Sequence, residues 1–466
     1  MVILDVSIVN IALPSIYRGL HFTSTSNLQW IVTAYTLAFG GFLLFGGRAA
    51  DLYGRKKMFI GGAALFTIGS LLTGLAQSSG MIEVTRAIQG FAGAFLSPAA
   101  LSILLTTFKE GKDRNKALSI WGGIAAGGAA FGVLLGGILT QYLSWRWNFF
   151  VNVPVGIIVI LATLYFIDES TADLDHTHMD LKGAILATAG LMLLVFGLTK
   201  GSAYGWTSHK SLEILGGSLL ILIIFIYNEY RSEHPLVPLS IFRIANVAAA
   251  NLTQLPITGS LYSMFFFVTL YVQDVLHYSP VKSGLSFLPI TFVIGIIATS
   301  MSKVIGKIGY KKPLMVAPIF LAAGLFYLTH VKVGGSYFAD VFPGLVIMSA
   351  GLGMVFVAIT VAATTGVPPR ESGLASGILN TSQQIGGSIG LAILSGVAAS
   401  QTSKFIMHHA GQSNLALQAQ VSGYHAAFYI GIIFAAISFL TATFLVRQHK
   451  QTQTTGNTDN MVAVSG

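Results

Sequence analysis

The chain has 466 residues, of which 53% are hydrophobic and 9% are charged, and its formal net charge is +9. A soluble protein of this size needs about a quarter of charged residues to cover its surface. The composition therefore excludes an ordinary soluble domain and predicts a membrane protein. Because the chain has no cysteine, disulfide bonds and cysteine-based metal sites are also excluded.

Apolar stretches of about 20 residues, the length that crosses a bilayer as an α-helix, recur along the whole chain. We count fourteen of them and predict an all-α integral membrane protein with 14 transmembrane helices. The predicted spans are 1–18, 28–48, 58–77, 81–105, 117–140, 147–167, 181–200, 211–229, 247–271, 283–302, 313–331, 341–364, 373–397 and 425–446.

The loop Gly46–Lys57 concentrates four basic side chains between two apolar spans. A short basic loop of this kind is typical of the cytoplasmic side of a membrane protein. With the N-terminus in the cytoplasm, 18 of the 26 Lys and Arg residues fall on the cytoplasmic side and 7 on the outer side. Both termini are therefore predicted to be cytoplasmic, and the positive net charge is interpreted as a topology signal rather than a nucleic-acid-binding surface.

The loop Ser302–Lys312 repeats features of that first loop. Gly54-Arg55-Lys56-Lys57 corresponds to Gly309-Tyr310-Lys311-Lys312, and Gly306 takes the place of Asp51. The two loops follow spans 2 and 10, so the chain divides into two six-helix units with two helices inserted between them. Repeated halves around a central cavity are typical of secondary transporters. The predicted domains are an N-terminal bundle at 1–167, an insertion at 168–245, a C-terminal bundle at 246–446 and a disordered cytoplasmic tail at 447–466.

Asp5 is the strongest candidate for a proton site. An ionisable side chain inside a span is costly and often belongs to a proton relay. The alternative is an acid at the membrane interface, because Asp5 is close to the first residue. The first span also lacks a basic flank, so we expect further residues upstream of this start.

Arg86 lies inside the fourth predicted span and needs a carboxylate, a carbonyl or water as a partner. Asp5 is one candidate partner. Counting along the helices places Asp5 about 20 Å from Arg18 and Arg86 about 9 Å from Met81, which leaves a difference in depth for tilt or water to bridge. The alternative is a structural pair with Glu83, one turn away in the same helix.

Asp51 and Arg55 stand four residues apart in the first basic loop. They are candidates for a charge latch between helix ends that breaks or reforms as the halves of a transporter move. The other interpretation is a topology-setting loop in which Asp51 caps the next helix or pairs locally. The two interpretations are compatible.

Several uncharged polar residues in or near the spans are candidates for lining a cavity, although each could instead hydrogen-bond between helices. They are Asn10, Gln29, Tyr35, Gln89, Asn152, Gln254, Asn380 and Gln383. No Gly-x-x-x-x-Gly-Lys-Ser/Thr phosphate loop occurs, so ATP is not expected as the energy source. The loop histidines at 176, 178, 408 and 409 are interpreted as solvated surface, and no metal or cofactor is predicted.

Four segments, in this order and spacing, resemble the major facilitator superfamily and, within it, the fourteen-helix drug:proton antiporters of the QacA/EmrB type. Leu4–Pro14 is similar to the family's helix-1 motif, and Gly47–Lys57 is similar to the superfamily loop motif with Gly47, Asp51, Gly54 and Arg55. Arg86–Gly90 looks like the motif that carries the family's buried arginine, and Trp145–Gly156 looks like the entry to helix 6. The resemblance covers nearly the whole chain.

The fifth span departs from the family pattern. It reads Gly132-Val133-Leu134-Leu135-Gly136-Gly137, and Val133 stands where the antiporter motif has proline. The motif is associated with antiport in the family, so this departure leaves the transport mode open. The small face of Gly132, Gly136 and Gly137 permits close helix contact, either as plain packing or as a sliding contact between the two halves.

The resemblance implies an exporter that exchanges a small amphipathic, drug-like compound for protons by alternating access, with Asp5 carrying the proton and Arg86 modulating its release. The alternative is uptake, symport or facilitated diffusion of a metabolite. A membrane enzyme is the alternative from a different class, but the spans hold no cluster of acids or metal ligands for bond chemistry. The expected partners are the substrate, protons and the bilayer.

Overall fold

The computed structural model of the chain describes residues 1–22, 25–108, 128, 131–169, 180–244, 246–367, 372–409 and 414–448. These residues form helices and connecting loops, with no strand among them. In chain order we number the long helices α1 to α14. Their bounds are Val2–Gly19, Trp30–Tyr53, Arg55–Gly74, Ser79–Thr107, Phe131–Tyr142, Trp147–Phe166, Leu181–Tyr204, His209–Arg231, Val247–Leu270, Pro280–Ile308, Lys311–Leu328, Phe342–Thr364, Ser372–His408 and Leu415–Phe444.

Within the described part of the chain, twelve of these helices are long and apolar enough to cross a membrane. The other two are α1, with 18 residues, and α5, of which the structure describes the apolar stretch Phe131–Tyr142. All fourteen lie where the sequence predicted spans. The last helix begins ten residues before the predicted start of its span at 425, because polar residues such as Gln418 and Gln420 continue the helix but lower its apolar signal.

The helices pack in three groups. Helices α2, α3 and α4 pack on one another and α6 packs on α3, while α9 to α14 pack among themselves. Helices α7 and α8 form a pair, and α7 also packs against α2 and α13. The two larger groups meet where α2 crosses α13 and where α1 crosses α9 and α10.

Close approach of backbones fixes α4 against α2. A Cβ on Gly46 would collide with the backbone of Ala94, and a Cβ on Gly90 would collide with the backbone of Tyr35. Small residues permit such contacts in membrane helices. Because Gly90 is one turn from Arg86, this contact also sets the position of that arginine.

The two basic loops have the same local structure. Gly54 and Gly309 have φ of 108° and 76°, a region that favours glycine, and each turns the chain into the following helix. The Glu169 carboxylate, just after α6, accepts a hydrogen bond of 3.0 Å from the backbone N–H of Lys56. The Gln448 side chain, just after α14, accepts one of 3.1 Å from the backbone N–H of Lys311.

Lys56 and Lys311 are equivalent positions in the predicted repeat, and each is capped from the segment that follows the sixth helix of its unit. The sequence did not identify either cap. It offered Asp51 as the residue that caps α3, but the Asp51 side chain lies outside the described residues. Residues 449–466 of the predicted tail lie outside them as well.

Candidate functional site

Asp5 lies in the first turns of α1, and its side chain is fully buried. Its Oδ2 accepts a hydrogen bond of 2.5 Å from Arg86 Nη1, which also makes the two residues an ion pair. Its Oδ1 accepts hydrogen bonds from Asn152 Nδ2 at 3.2 Å and from Gln89 Nε2 at 3.4 Å. The carboxylate therefore joins three helices, α1, α4 and α6.

Arg86 is also buried, with 1% of its surface exposed. Its Nε donates to the carbonyl oxygen of Ile31 in α2 at 2.9 Å, and its Nη1 also donates to Gln89 Oε1 at 3.0 Å. The guanidinium lies 4.4 Å from the ring centroid of Tyr35. A carboxylate, carbonyl and amide oxygens and an aromatic face thus surround this cation, as a charge in the membrane interior requires.

The direct contact between Asp5 and Arg86 resolves the difference in depth that residue counting left open. Two helices can begin at different depths in the membrane. The number of residues between a side chain and the end of its own helix therefore does not give the distance between side chains on two helices. Glu83 lies elsewhere, in the lining of a cavity of about 400 Å³ that also includes Asn27, Trp30 and Lys200.

Gln89 extends the network to α3. Its Nε2 donates to Ser70 Oγ at 2.7 Å, and its Oε1 accepts from Thr73 Oγ1 at 3.2 Å. Ser70 and Thr73 were missed by the sequence analysis. Two buried hydroxyl residues one turn apart in an apolar span were the available signal, since polar side chains in membrane helices commonly bond to neighbouring helices.

The network holds one negative and one positive charge out of water. Burying such a pair costs desolvation energy that the mutual attraction offsets only when the remaining polar groups are satisfied. Asn152 and Gln89 supply those bonds to Asp5. A proton placed on Asp5 would cancel its charge and leave Arg86 without a counterion, so protonation and the position of Arg86 are coupled by electrostatics.

Of the residues predicted to line a cavity, Gln89 and Asn152 belong to this network and Tyr35 contacts it through Arg86. The remaining ones lie outside it. Asn10 donates to the carbonyl of Val6 in its own helix at 3.0 Å, and Gln29 donates to Thr199 of α7. The Oε1 atom of Gln254 is buried without a hydrogen-bond partner among the described residues. In α13, Asn380 is exposed and Gln383 is half-buried.

The glycines of α5 lie between α1 and α10. A Cβ on Gly132 would lie 2.9 Å from the Cβ of Ser7, and one on Gly136 would lie 2.9 Å from the carbonyl oxygen of Ile8. A Cβ on Gly137 would lie 2.6 Å from the carbonyl oxygen of Pro280 at the start of α10. These three glycines therefore stand where the two larger helix groups meet. A Cβ on Gly47, in the loop motif, would lie 3.6 Å from the Cβ of Pro98, which is an ordinary van der Waals distance.

Three polar contacts join the helix groups at the end opposite the basic loops. Gln273 Nε2 donates to the carbonyl of Ile11 at 2.9 Å, and the backbone N–H of Val281 donates to Gln141 Oε1 at 3.2 Å. Arg18 and Asp274 form an ion pair at 3.8 Å. This end is therefore closed by contacts of α1 and α5 with the helical turn Tyr271–Val275, which follows α9, and with the start of α10.

Two packed groups of membrane helices, with a buried ion pair inside one group and a polar closure between the groups at one end, define a membrane transporter. The sequence profile described as Major Facilitator Superfamily matches residues 1–391. The chain belongs to this superfamily, which confirms the predicted family and fold.

Three relatives are similar over most of their length. The chain is 38% identical to the cephamycin export protein CmcT of Amycolatopsis lactamdurans, over 86% of this chain and 83% of that protein. It is 35% identical to the puromycin resistance protein pur8 of Streptomyces alboniger, over 93% of this chain and 86% of that protein. It is 33% identical to the multidrug resistance protein Stp of Mycobacterium tuberculosis, over 88% and 75%.

A solved structure supports the fold. A bacterial homologue of the human lysosomal transporter Spinster, in its inward-facing and unoccupied conformation, is similar with a TM-score of 0.67 and 14% identity, over 95% of this chain and 94% of that one. This likeness concerns the fold alone. The family match and the sequence relatives, rather than this likeness, make the chain a multi-pass membrane transporter.

Proposed function

We propose that the chain exports small amphipathic, drug-like compounds in exchange for protons by alternating access. The observation that carries the proposal is the buried pair of Asp5 and Arg86, whose members are held by α1, α2, α4 and α6. The names of the relatives, which refer to export of or resistance to antibiotics, support the substrate class.

In this mechanism Asp5 takes up a proton when the substrate-binding cavity between the two bundles is open to the outside of the cell. The neutral carboxyl releases its hold on Arg86, and the guanidinium keeps the Ile31 carbonyl and the Gln89 amide oxygen as partners. When the cavity faces the cytoplasm, Asp5 loses its proton and re-forms the ion pair. Gln89 and Asn152 hold the side chain of Asp5 in place in both states by accepting from or donating to it.

The moving parts are the predicted bundles 1–167 and 246–446, with 168–245 as an inserted unit. The equivalent caps by Glu169 and Gln448 support this division. The glycines of α5 then form a contact that slides between the bundles. Gly47 and Asp51 lie in the last two turns of α2, Gly54 makes the turn and Arg55 begins α3, so the predicted loop motif is mostly helical and joins these two helices during the motion.

We propose that both termini lie in the cytoplasm of a bacterial cell, on the evidence of the basic loops. Because the natural chain has no cysteine, single cysteines at exposed positions report this directly. Lys210→Cys, in the first turn of α8, is expected to react with a membrane-impermeant maleimide in intact cells, and Lys57→Cys only after permeabilisation. The reverse pattern would invert the topology.

The export proposal is tested by purified protein in liposomes with an imposed pH gradient. Puromycin and a cephamycin are the first compounds to use. We expect substrate to accumulate on the acidic side, with counterflow of protons recorded by a pH-sensitive dye, and no accumulation without the gradient. Substrate movement with no coupled proton flux would instead support facilitated diffusion, and movement of both in the same direction would support symport, the alternative that Val133 motivates.

A further inference from the structure

A pair of carboxyl groups, Asp180 and Glu229, lies away from Asp5, at the end of the inserted helices that is on the side of the basic loops. Asp180, just before α7, accepts from the backbone N–H of Gly183 at 2.7 Å through Oδ1 and from Asn228 Nδ2 at 2.6 Å through Oδ2. Glu229, in the last turn of α8, accepts from the backbone N–H of Val237 at 2.7 Å through Oε2. Each carboxyl group thus has partners for part of its hydrogen-bonding capacity.

The remaining oxygen of Glu229 has no donor. Glu229 is only 3% exposed, and its Oε1 has no hydrogen-bond partner among the described residues. A Cβ placed on Gly183 would lie 2.5 Å from this atom and 2.5 Å from Asp180 Oδ2, so glycine at this position leaves room for the two oxygens to approach. The carboxyl groups of Asp180 and Glu229 therefore approach each other over Gly183, acceptor towards acceptor.

The charged side chains nearby do not neutralise the pair. Asp180 is the charged group that faces Glu229, and it carries the same sign. Lys182 and Arg231, on the two inserted helices, are exposed, and the guanidinium of Arg231 lies over the ring of Tyr227. The other titratable or charged groups on the adjoining elements are Glu233 and His234 in the loop after α8 and Arg48 in α2, the helix that packs against α7.

Two ionised carboxylates side by side, one of them buried, repel each other, and Glu229 Oε1 also lacks a donor among the described residues. A single proton removes both defects, because one carboxyl then donates an O–H to the other. We propose that Asp180 and Glu229 bind one shared proton, as an O–H···O hydrogen bond between Glu229 Oε1 and Asp180 Oδ2. This is a second proton site, and it does not depend on the proposed role of Asp5.

The site is linked to the contact between the two larger helix groups. The Oε2 atom of Glu229 holds the backbone of Val237, whose side chain packs on the apolar cluster around Ile241 and Ala375. Leu44 of α2 packs on the same cluster, which therefore joins α2 and α13. Loss of the proton leaves two charged carboxyl groups that repel each other. A rise in pH is therefore expected to push Glu229 away from Asp180 and to loosen this end of the molecule.

The test compares Glu229→Gln with wild type in the pH dependence of the thermal unfolding midpoint. The bound proton stabilises the folded wild type at low pH, and that contribution is lost as the pH rises through the titration of the pair. In the variant, the amide donates permanently to Asp180 and its oxygen accepts from Val237, so the pH-dependent fall of the midpoint should disappear. Glu233→Gln, an exposed acid four residues later, is the matched control and should keep the wild-type profile.

Infrared spectroscopy gives a readout that does not require the variant to be stable. In an Asp5→Asn background, the C=O stretch of a protonated carboxyl group should persist at a pH where exposed carboxyl groups are ionised, and it should be lost as the pH rises further. Absence of such a band, or a Glu229→Gln profile identical to that of wild type, would mean that both carboxylates are ionised caps and would overturn the proposal. Failure of proton-coupled export with this band intact would count against the proposed function and leave the second site standing.

Discussion

An Asp5→Asn variant is expected to lose substrate accumulation driven by a pH gradient, down to the level of protein-free liposomes. The amide has nearly the same shape as the carboxylate, and its oxygen can still accept from Arg86. The guanidinium loses its counterion, so stability should fall, but Arg86 keeps the Ile31 carbonyl and the Gln89 amide oxygen as partners and the fold should be kept. It cannot take up or release a proton, however, so the step that exchanges protons for substrate is missing. Exchange of labelled for unlabelled substrate across the membrane, which needs no net proton movement, should continue.

Asp168→Asn is the matched control, because Asp168 is an exposed acid after α6, outside the network of Asp5. This variant should accumulate substrate like wild type and show the same pH dependence. If Asp5→Asn transports with unchanged pH dependence, Asp5 is not the coupling residue. If both exchange and accumulation are lost while the protein remains folded, Asp5 acts in substrate binding or closure instead.

Arg86→Gln is expected to be the most destabilising single change at this site, with a loss of about 3–5 kcal/mol in the free energy of unfolding when Asp5 is ionised. The change leaves the buried carboxylate of Asp5 without its cation, and it removes the hydrogen bond that Arg86 donates to the Ile31 carbonyl. Denaturant unfolding of the purified protein in detergent measures this loss.

The double variant Asp5→Asn/Arg86→Gln completes a double-mutant cycle that measures the interaction energy between the two side chains. Replacing both members of a buried ion pair by neutral groups is often close to neutral for stability, so the double variant should recover most of the loss. It should nevertheless remain inactive in proton-driven transport. If the double variant is as unstable as Arg86→Gln alone, the contribution of Arg86 comes from its bonds to Ile31 and Gln89 and from its contact with Tyr35, and the ion pair is not the main determinant.

The order and number of the helices, the basic loops and the family could be read from the sequence. A span is set by about 20 apolar residues in a row, which is a local property of the chain. The same holds for the turn glycines Gly54 and Gly309, whose positive φ is required by a local change of direction. The individual candidates Asp5 and Arg86 were also visible, because a charge inside an apolar span stands out against its neighbours.

Only the tertiary structure decided which groups meet. Asp5 and Arg86 are 81 residues apart in the chain, and their contact depends on how α1 and α4 pack, which no local pattern encodes. The carbonyl of Ile31 became a partner because the backbones of α2 and α4 approach closely at Gly90. Glu169 is a comparable case, since nothing in the sequence of its loop indicated a partner, yet it caps α3, a helix that begins more than a hundred residues earlier in the chain.

The sequence by itself determined that this is a membrane protein of repeated helical halves with an acid and an arginine buried in its first half. The tertiary structure decided that those two charges touch, that Asn10 and Gln29 bond elsewhere, and that Asp180 and Glu229 face each other. The physical reason is that helix formation in a bilayer depends on the apolar character of one segment at a time. Pairing of polar side chains depends on the depth, tilt and close approach of several helices at once.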